Sequence, residues 1–410
     1  MPPGEEATVI FPKFIFQDAI LGIGTVIGII SFGGRIFDAI SDPIIANFSD
    51  RVAAKNGKRK RLMGIAAFPL ALLSFLVFFP LSDTGFTINT VWLISTVLLF
   101  YLAFTMYVIP YTALISELGH HPDDRMKIST FISIAFAVGY IIGSTIYALQ
   151  DVFADAFQMD ILSAFQLSVL AFAVLGLLCM LTPVFFLQET KYSVQSHANI
   201  DIKGALQSVW KNVSFRYFLW SDLMYWLALT FIQLGISYYT VALFDLGVEV
   251  VPLFNAVGFL TSFLLYIPIN YLVKKYSKAR LINTAFLAFV MLFMCLAVAP
   301  FVPLPNEILF YGLAVFSGFP LACFGIIPNA IIADEVHIHE SQTGLQQSGM
   351  FYGVRNFVMK LGISIATLIF PSLLLFGKSA ENPLGVQLAA SAAALFCGIG
   401  WLLFQGYRRN

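Results

Sequence analysis

Residues 34–61 read GRIFDAISDPIIANFSDRVAAKNGKRKR. The first half continues an apolar run that starts near residue 19, and it carries three charges, Arg35, Asp38 and Asp42, at spacings of three and four. In a helix that spacing puts all three on one face, with the Ser41 hydroxyl beside them. Pro43 has no N–H, so it frees a backbone carbonyl one turn earlier. The second half is a basic turn of Arg51, Lys55, Lys58, Arg59, Lys60 and Arg61, and a new apolar run follows at once. An apolar helix, a short basic turn and a second apolar helix describe a membrane hairpin whose turn faces the cytoplasm.

The whole chain has this character. Of its 410 residues 59% are hydrophobic and 11% charged, and Phe occurs 42 times. Soluble domains carry about 25% charged residues, so this chain is too poor in charge to cover a wet surface of its size. A spanning helix needs about 20 mostly apolar residues. The runs 19–48, 62–82, 89–117, 128–149, 163–188, 214–244, 251–273, 280–302, 306–333, 349–376 and 383–406 meet that need. The expected fold is an all-α membrane protein of two helical bundles, 1–188 and 214–410, joined by a polar linker at 189–213. The four Cys are scattered, with no C-x-x-C pair to suggest a disulfide framework or a zinc site.

Basic residues recur at every second connection except 334–348, whose charges are acidic: Arg125 and Lys127; Lys191, Lys203, Lys211 and Arg216; Lys274, Lys275, Lys278 and Arg280; and the tail Arg408 and Arg409. The opposite side has only Lys13 and Lys378. The bias places the basic connections and the C-terminus in the cytoplasm and the N-terminus outside. The start, MPPGEEATVIFPKF, lacks the basic region of a cleavable signal peptide. The basic hairpin at 51–61 has an echo at YLVKKYSKARLIN, residues 271–283. Two related halves explain the echo. In that register the chain shows eleven helices of an expected twelve, the first being absent.

Charged groups at membrane depth cost about 2.5–3.5 kcal/mol each on insertion scales, so they persist where they are paired or functional. Asp38 and Asp42 make a site for a small hard cation or for protons; a structural ion cluster with Arg35 is the other reading. Lys360 lies deep in run 349–376 and needs an acidic partner or an aqueous cavity, Asp38 or Asp42 being the obvious candidate. Arg355, nearer the helix end, is expected to extend its stem toward water, and Asp222 is expected to be a polar residue at a helix end. Trp226, Gln233, Tyr238 and Tyr239 are candidates to line a cavity. Asp334, Glu335, His337, His339 and Glu340 are expected in a connection, 334–348, with no Cys nearby to complete a zinc site. No P-loop, nucleophile elbow or H-E-x-x-H motif occurs, so no enzymatic activity and no nucleic-acid partner are expected.

Three stretches carry a family likeness. GRIFDAISDPIIANFSDRVAAKNGKRKR resembles the helix-two signature, R-x-x-D-A-x-x-D-P and a basic hairpin, of the melibiose permease-like glycoside–pentoside–hexuronide:cation symporters of the major facilitator superfamily. VIPYTALISELGHHPDDRMKIS is similar to that family's P-Y-x-A-L-x-x-E-L segment, and IIADEVHIHESQTGLQQSGMFYGVRNFVMKLG to its A-D-x-x-D-Y segment running into a helix with a buried lysine. The resemblance implies a symporter working by alternating access around a central cavity. Asp38 and Asp42 fall on the family's cation-site aspartates, Ser41 and Thr105 on polar residues of the same site, and Arg35 and Lys360 on its coupling residues. The implied coupling ion is Na⁺ or H⁺, and no other cofactor is implied.

The sugar-binding positions depart from the galactoside-carrying pattern. Val108 stands where an acidic sugar ligand is expected, Thr112 where an aromatic is, and Ser133 where an arginine is. His337 replaces the second aspartate of A-D-x-x-D-Y, and the later basic position falls near Gln347. The departures weigh against a galactoside, and the apolar Val108 suits a less polar ligand. The expected substrate is a small organic solute, a glycoside or a related compound, carried by a monomer in the cell membrane. A carrier of lysolipids or other amphiphiles and a non-transporting receptor on the same fold are the alternatives.

Overall fold

The computed structural model describes residues 19–20, 24–56, 59–81, 85–119, 121–187, 202–247, 250–345 and 347–407. Lys13, Lys191, Arg408, Arg409 and most of the linker 189–213 lie outside the described residues, as does the side chain of Arg35. The described chain is helical apart from one short ladder, β1 (Ala19–Ile20) with β2 (Gly24–Thr25). The helices are α1 (Val26–Asn56), α2 (Arg59–Leu76), α3 (Phe86–Leu118), α4 (Pro122–Ser144), α5 (Ile146–Phe157), α6 (Ile161–Phe186), α7 (Ile202–Lys211), α8 (Val213–Phe244), α9 (Val251–Tyr276), α10 (Lys278–Val298), α11 (Asn306–Thr343), α12 (Ser348–Leu374) and α13 (Leu384–Phe404). Nine of these, α3, α4, α6 and α8–α13, are long and apolar enough to cross a membrane. In α1 three charged residues interrupt the apolar run.

Two compact units form. The first comprises Met1–Leu118, Val138–Ala205 and Thr343–Val354; the second comprises Gly119–Ala137, Leu206–Gln342 and Arg355–Asn410. In the first unit α2 packs against α3 and α6 through Met63, Ala66, Ala67 and Leu70 of α2 and Ala103, Tyr107 and Leu114 of α3. The alanines let the backbones approach, as small residues do between helices in lipid. Tyr107 donates its hydroxyl to the Met180 carbonyl of α6 at 2.7 Å. A buried phenol thus finds its partner in a carbonyl of the neighbouring helix.

The second unit is built on α8, α10 and α13. Val386, Ala389, Ala390, Ala393, Ala394 and Cys397 make a buried stripe of mostly small residues on α13. Their spacing of three and four keeps them on one face. Rings from the other helices fill the space: Phe286, Phe289 and Phe293 of α10 are buried, and Tyr225 of α8 stacks on Phe324 of α11 with centroids 4.0 Å apart.

Four boundaries differ from the apolar runs. The first helix starts at Val26, after the ladder, rather than near residue 19. The run expected at 128–149 is two helices, because α4 starts at Pro122 and ends at Ser144, and α5 begins after Thr145. Gly139 and Gly143 weaken the last turns of α4, and Asp151 and Asp155 keep α5 from reading as a continuation of the apolar run. Part of the linker is helical, as α7. Finally, α11 continues to Thr343, so Asp334–Glu340 are helical and not in a connection. Each of its buried polar side chains has a partner that offsets the cost of burial. Asp334 binds Arg125 and Lys278 at 3.0 and 2.6 Å, Glu335 accepts from Asn212 at 2.9 Å, and His339 lies 3.2 Å from the Ser208 hydroxyl.

Candidate functional site

Asp38, Ser41 and Asp42 lie on one face of α1, as their spacing requires, and all three are buried. They meet α3 at Thr105, which is 1% exposed. Thr105 Oγ1 lies 3.0 Å from Asp38 Oδ1 and 3.1 Å from Asp42 Oδ1. Ser41 donates to the Asp38 carbonyl at 2.9 Å, and its oxygen stands 3.5 Å from Thr105 Oγ1. The cluster thus brings two carboxylates and a hydroxyl from one stretch of α1, marked by Pro43, against a hydroxyl of α3.

The chemistry follows from counting hydrogens. A threonine hydroxyl has one hydrogen to donate, and ionised carboxylates only accept. Two carboxylate oxygens about 3 Å from the same hydroxyl oxygen make an oxygen-rich pocket that suits a proton on one acid or a small hard cation among the three oxygens. Burial in a low-dielectric surround strengthens that preference.

Helix α12 closes on this site from the first unit's own residues. A Cβ built at Gly353 would stand 2.5 Å from Ala46 Cβ and 3.1 Å from the Asp42 carbonyl oxygen. Only a glycine lets the two backbones run this close beside Asp42.

A second polar cluster lies farther along α1. Arg59 is fully buried at the start of α2. Its Nε donates to Glu117 Oε1 at 2.6 Å, and its two Nη atoms donate to Ser49, Asp50 and Ser348 at 2.8 Å each. Burial works against the guanidinium charge, and the Glu117 and Asp50 carboxylates more than offset it, so the Arg59 pKa is raised. Sequence reading takes Arg59 only as one charge of a basic turn. The signal that points further is Asp50, placed just after an apolar run, together with Glu117 in the P-Y-x-A-L-x-x-E-L segment.

In the second unit Arg355 does not extend toward water. Its Nε donates to Asp222 Oδ2 at 2.9 Å, its Nη2 stands 3.4 Å from Asp222 Oδ1, and Nη1 reaches Asn329 at 3.3 Å. Nor is Asp222 a helix-end polar residue, since its side chain is 1% exposed. A carboxylate that deep requires a charge-assisted, two-toothed partner, and a guanidinium supplies one. The Arg355 guanidinium also lies 6.0 Å from the Trp226 ring.

The remaining sequence candidates are dispersed. Val108 is half-buried against the α2–α3 cluster. Thr112 spends its hydroxyl on the Val108 and Ile109 carbonyls of its own helix. Ser133 is buried and donates to the Ser129 and Gly325 carbonyls. Gln233 and Tyr238 are exposed on α8, whereas Tyr239 is fully buried and donates to the Phe231 carbonyl at 3.2 Å. Trp226 is half-buried, and its buried indole N–H has no acceptor among the described residues. Lys360 is half-buried in the part of α12 that belongs to the second unit.

Comparison with known proteins gives a consistent picture. The family model described as MFS/sugar transport protein matches residues 9–403. The isoprimeverose transporter of Lactiplantibacillus pentosus is 24% identical over 253 residues, 60% of this chain and 52% of that protein, so the chain spans about half of that relative's length. The putative glycoside/cation symporter YagG of Escherichia coli K12 is 21% identical over 413 residues, covering 98% of this chain and 86% of that protein. Among solved structures, the E. coli fucose:proton symporter FucP superposes with a TM-score of 0.66 at 15% identity, covering 98% of this chain and 94% of that one. At such identity the structural likeness speaks for the fold alone, an all-α transporter fold.

Proposed function

The chain belongs to the MFS/sugar transport protein family, and from that premise we propose that it is a cation-coupled symporter that moves a small sugar-type solute, a glycoside or a related compound, by alternating access. The observation that carries the proposal is the meeting of Asp38, Asp42 and Thr105, with two carboxylate oxygens 3.0 and 3.1 Å from one hydroxyl oxygen. A Na⁺ ion or a proton arriving there neutralises charge that lipid-embedded helices do not otherwise tolerate. The loaded site favours the conformation that binds solute, and solute favours the loaded site by the same factor.

Arg35 and Lys360 take the coupling roles that the family likeness implies. On the solute side, Trp226 offers an indole N–H that a sugar hydroxyl can accept from, and its ring gives an apolar sugar face something to lie on. The basic connections put the C-terminus in the cytoplasm of a cell in whose membrane the chain sits as a multi-pass monomer.

Purified protein in liposomes tests the reading. Uptake from a panel of labelled glycosides should quicken under an inward Na⁺ gradient or an inward proton gradient. Solute exchange at the same rate with and without both gradients would remove the coupling. Solute binding with no exchange at all would make the protein a receptor.

A further inference from the structure

A cavity of about 550 Å³ lies in the second unit between the start of α4 and the end of α9. It shares no residue with the cation site or with Trp226. Its floor is polar, because Asn270 Nδ2 donates to Thr130 Oγ1 at 2.8 Å. Three lysines line it. Lys278 is buried and committed to Asp334. Lys127 and Lys274 are different, with side chains 67% and 60% exposed. Their acidic neighbours are Asp124, 3.8 Å from Lys127, and Asp123, 2.9 Å from Lys274, both in solvent-exposed pairs. Such pairs are weak, so either ammonium can turn to a stronger anion. Lys275 and Arg280 follow within the same connection, and the surroundings keep an excess of positive charge.

The rim has an apolar side. Phe131 of α4 and Tyr271 of α9 are both exposed, at 69% and 72%. Leu260, Leu264 and Ile267 continue from Tyr271 along one exposed face of α9. On a membrane-spanning helix such a face lies against acyl chains. A cationic cavity at the end of two spans, opening onto an apolar stripe, has the form of a lipid: charged head at the boundary, tails along the helix. Tyr271 stands at the junction, where an aromatic with a polar tip fits best.

We propose that this cavity binds the phosphate headgroup of an anionic membrane phospholipid, held by Lys127 and Lys274, with an acyl chain lying along the Leu260–Tyr271 stripe. Occupancy ties α4 to α9 at the basic end of the membrane. A soluble phosphate would use the lysines and leave the stripe idle, so lipid is the occupant that matches all of the observed surface.

The test uses the full chain in nanodiscs of phosphatidylcholine, titrated with phosphatidylglycerol and read by thermal melting and by native mass spectrometry. Phosphatidylglycerol should raise the melting temperature and remain bound in the gas phase. A lysine near a lipid surface is worth roughly fivefold in affinity, so Lys127→Gln with Lys274→Gln should weaken the titration about 25-fold. Each single substitution should give about fivefold, which guards against misfolding of the double variant. Unchanged phosphatidylglycerol affinity in variants that melt normally in phosphatidylcholine alone would overturn the proposal. So would an equal melting shift from glycerol 3-phosphate added in water, which would make the occupant a free phosphate.

Discussion

Asp50 accepts the backbone N–H of Gly349 through Oδ1 at 2.8 Å, so a carboxylate of α1 serves as the anionic cap of α12. Its other oxygen accepts from Met350, also at 2.8 Å. The first turn of a helix has N–H groups with no partner of their own and a positive dipole end, and Asp50 answers both while holding Arg59. Asp50→Ala leaves a buried guanidinium and two amides without that carboxylate. Removing one partner of a buried ion pair costs about 3–5 kcal/mol, so the variant should melt well below the parent. Asp50→Asn should fall between them, since one amide oxygen still accepts. At Gly349 a Cβ would stand 2.6 Å from Asp50 Oδ1, so Gly349→Ala should lower the melting temperature in the same direction. Melting of all three at the parent's temperature would leave the cap without structural weight.

The hydroxyl of Thr105 on α3 stands 3.0 Å from one aspartate and 3.1 Å from the other. Thr105→Val keeps the shape and removes the oxygen. A hydrogen bond to a charged group contributes about 1.5–3 kcal/mol, so the apparent cation affinity in uptake assays should fall about 10- to 100-fold. Thr105→Ser restores the oxygen and should recover most of it. Equal loss in both variants would point to packing instead of ligation.

Asp38→Asn and Asp42→Asn separate the cation site from a structural cluster. Each should abolish cation-driven uptake while leaving the melting temperature within a few degrees, because an amide fills the same space. Uptake at the parent's rate would take that residue out of the mechanism. A melting collapse with residual cation dependence would favour the structural role.

Legibility in the sequence followed the range of the interaction. Period and length made the helical membrane fold plain, and the three–four spacing put Asp38 and Asp42 on one face. Their meeting with Thr105 joins residues more than sixty positions apart, and only the family resemblance pointed to it. Arg59 likewise closes on residues far off in sequence, Glu117 and Ser348. Nothing in a run of Lys and Arg marks the one side chain that Glu117 and Ser348 will enclose. Counting apolar residues ends α11 at Asp334, whereas Arg125 and Lys278 make that acid acceptable inside the unit. By its place in the sequence Arg355 is free to reach water, whereas the buried Asp222 holds it.

That last pair gives a sharper test than single deletions. Asp222→Ala or Arg355→Ala alone strands a buried charge and should destabilise by about 3–5 kcal/mol. Replacing both with apolar residues of similar size, Asp222→Leu with Arg355→Met, should recover most of the loss, because well-packed apolar substitutes for a buried pair are often neutral. Breaking the exposed Lys274–Asp123 pair should leave the melting temperature close to the parent's. A double variant as unstable as the sum of its singles would show that the two charges act through different partners.

Two glycines of α12 let the helix test its own geometry. A Cβ at Gly353 would stand 2.5 Å from Ala46 Cβ and 3.1 Å from the Asp42 carbonyl oxygen, so Gly353→Ala forces the two helices to shift. Overpacking of this kind costs typically about 1–3 kcal/mol, and here the strain falls on the backbone of a cation-site residue. Nine residues on, a Cβ at Gly362 would stand 3.1 Å from Leu223 side-chain and carbonyl atoms and 3.4 Å from Trp226 Cβ, and the longer distances leave more room for a methyl group. Gly362→Ala should therefore be milder in melting and should leave cation affinity alone, whereas Gly353→Ala should weaken it. Apparent cation affinity measured for both variants decides the matter. If the two shift it equally, the close approach of α12 to Asp42 has no part in holding the ion.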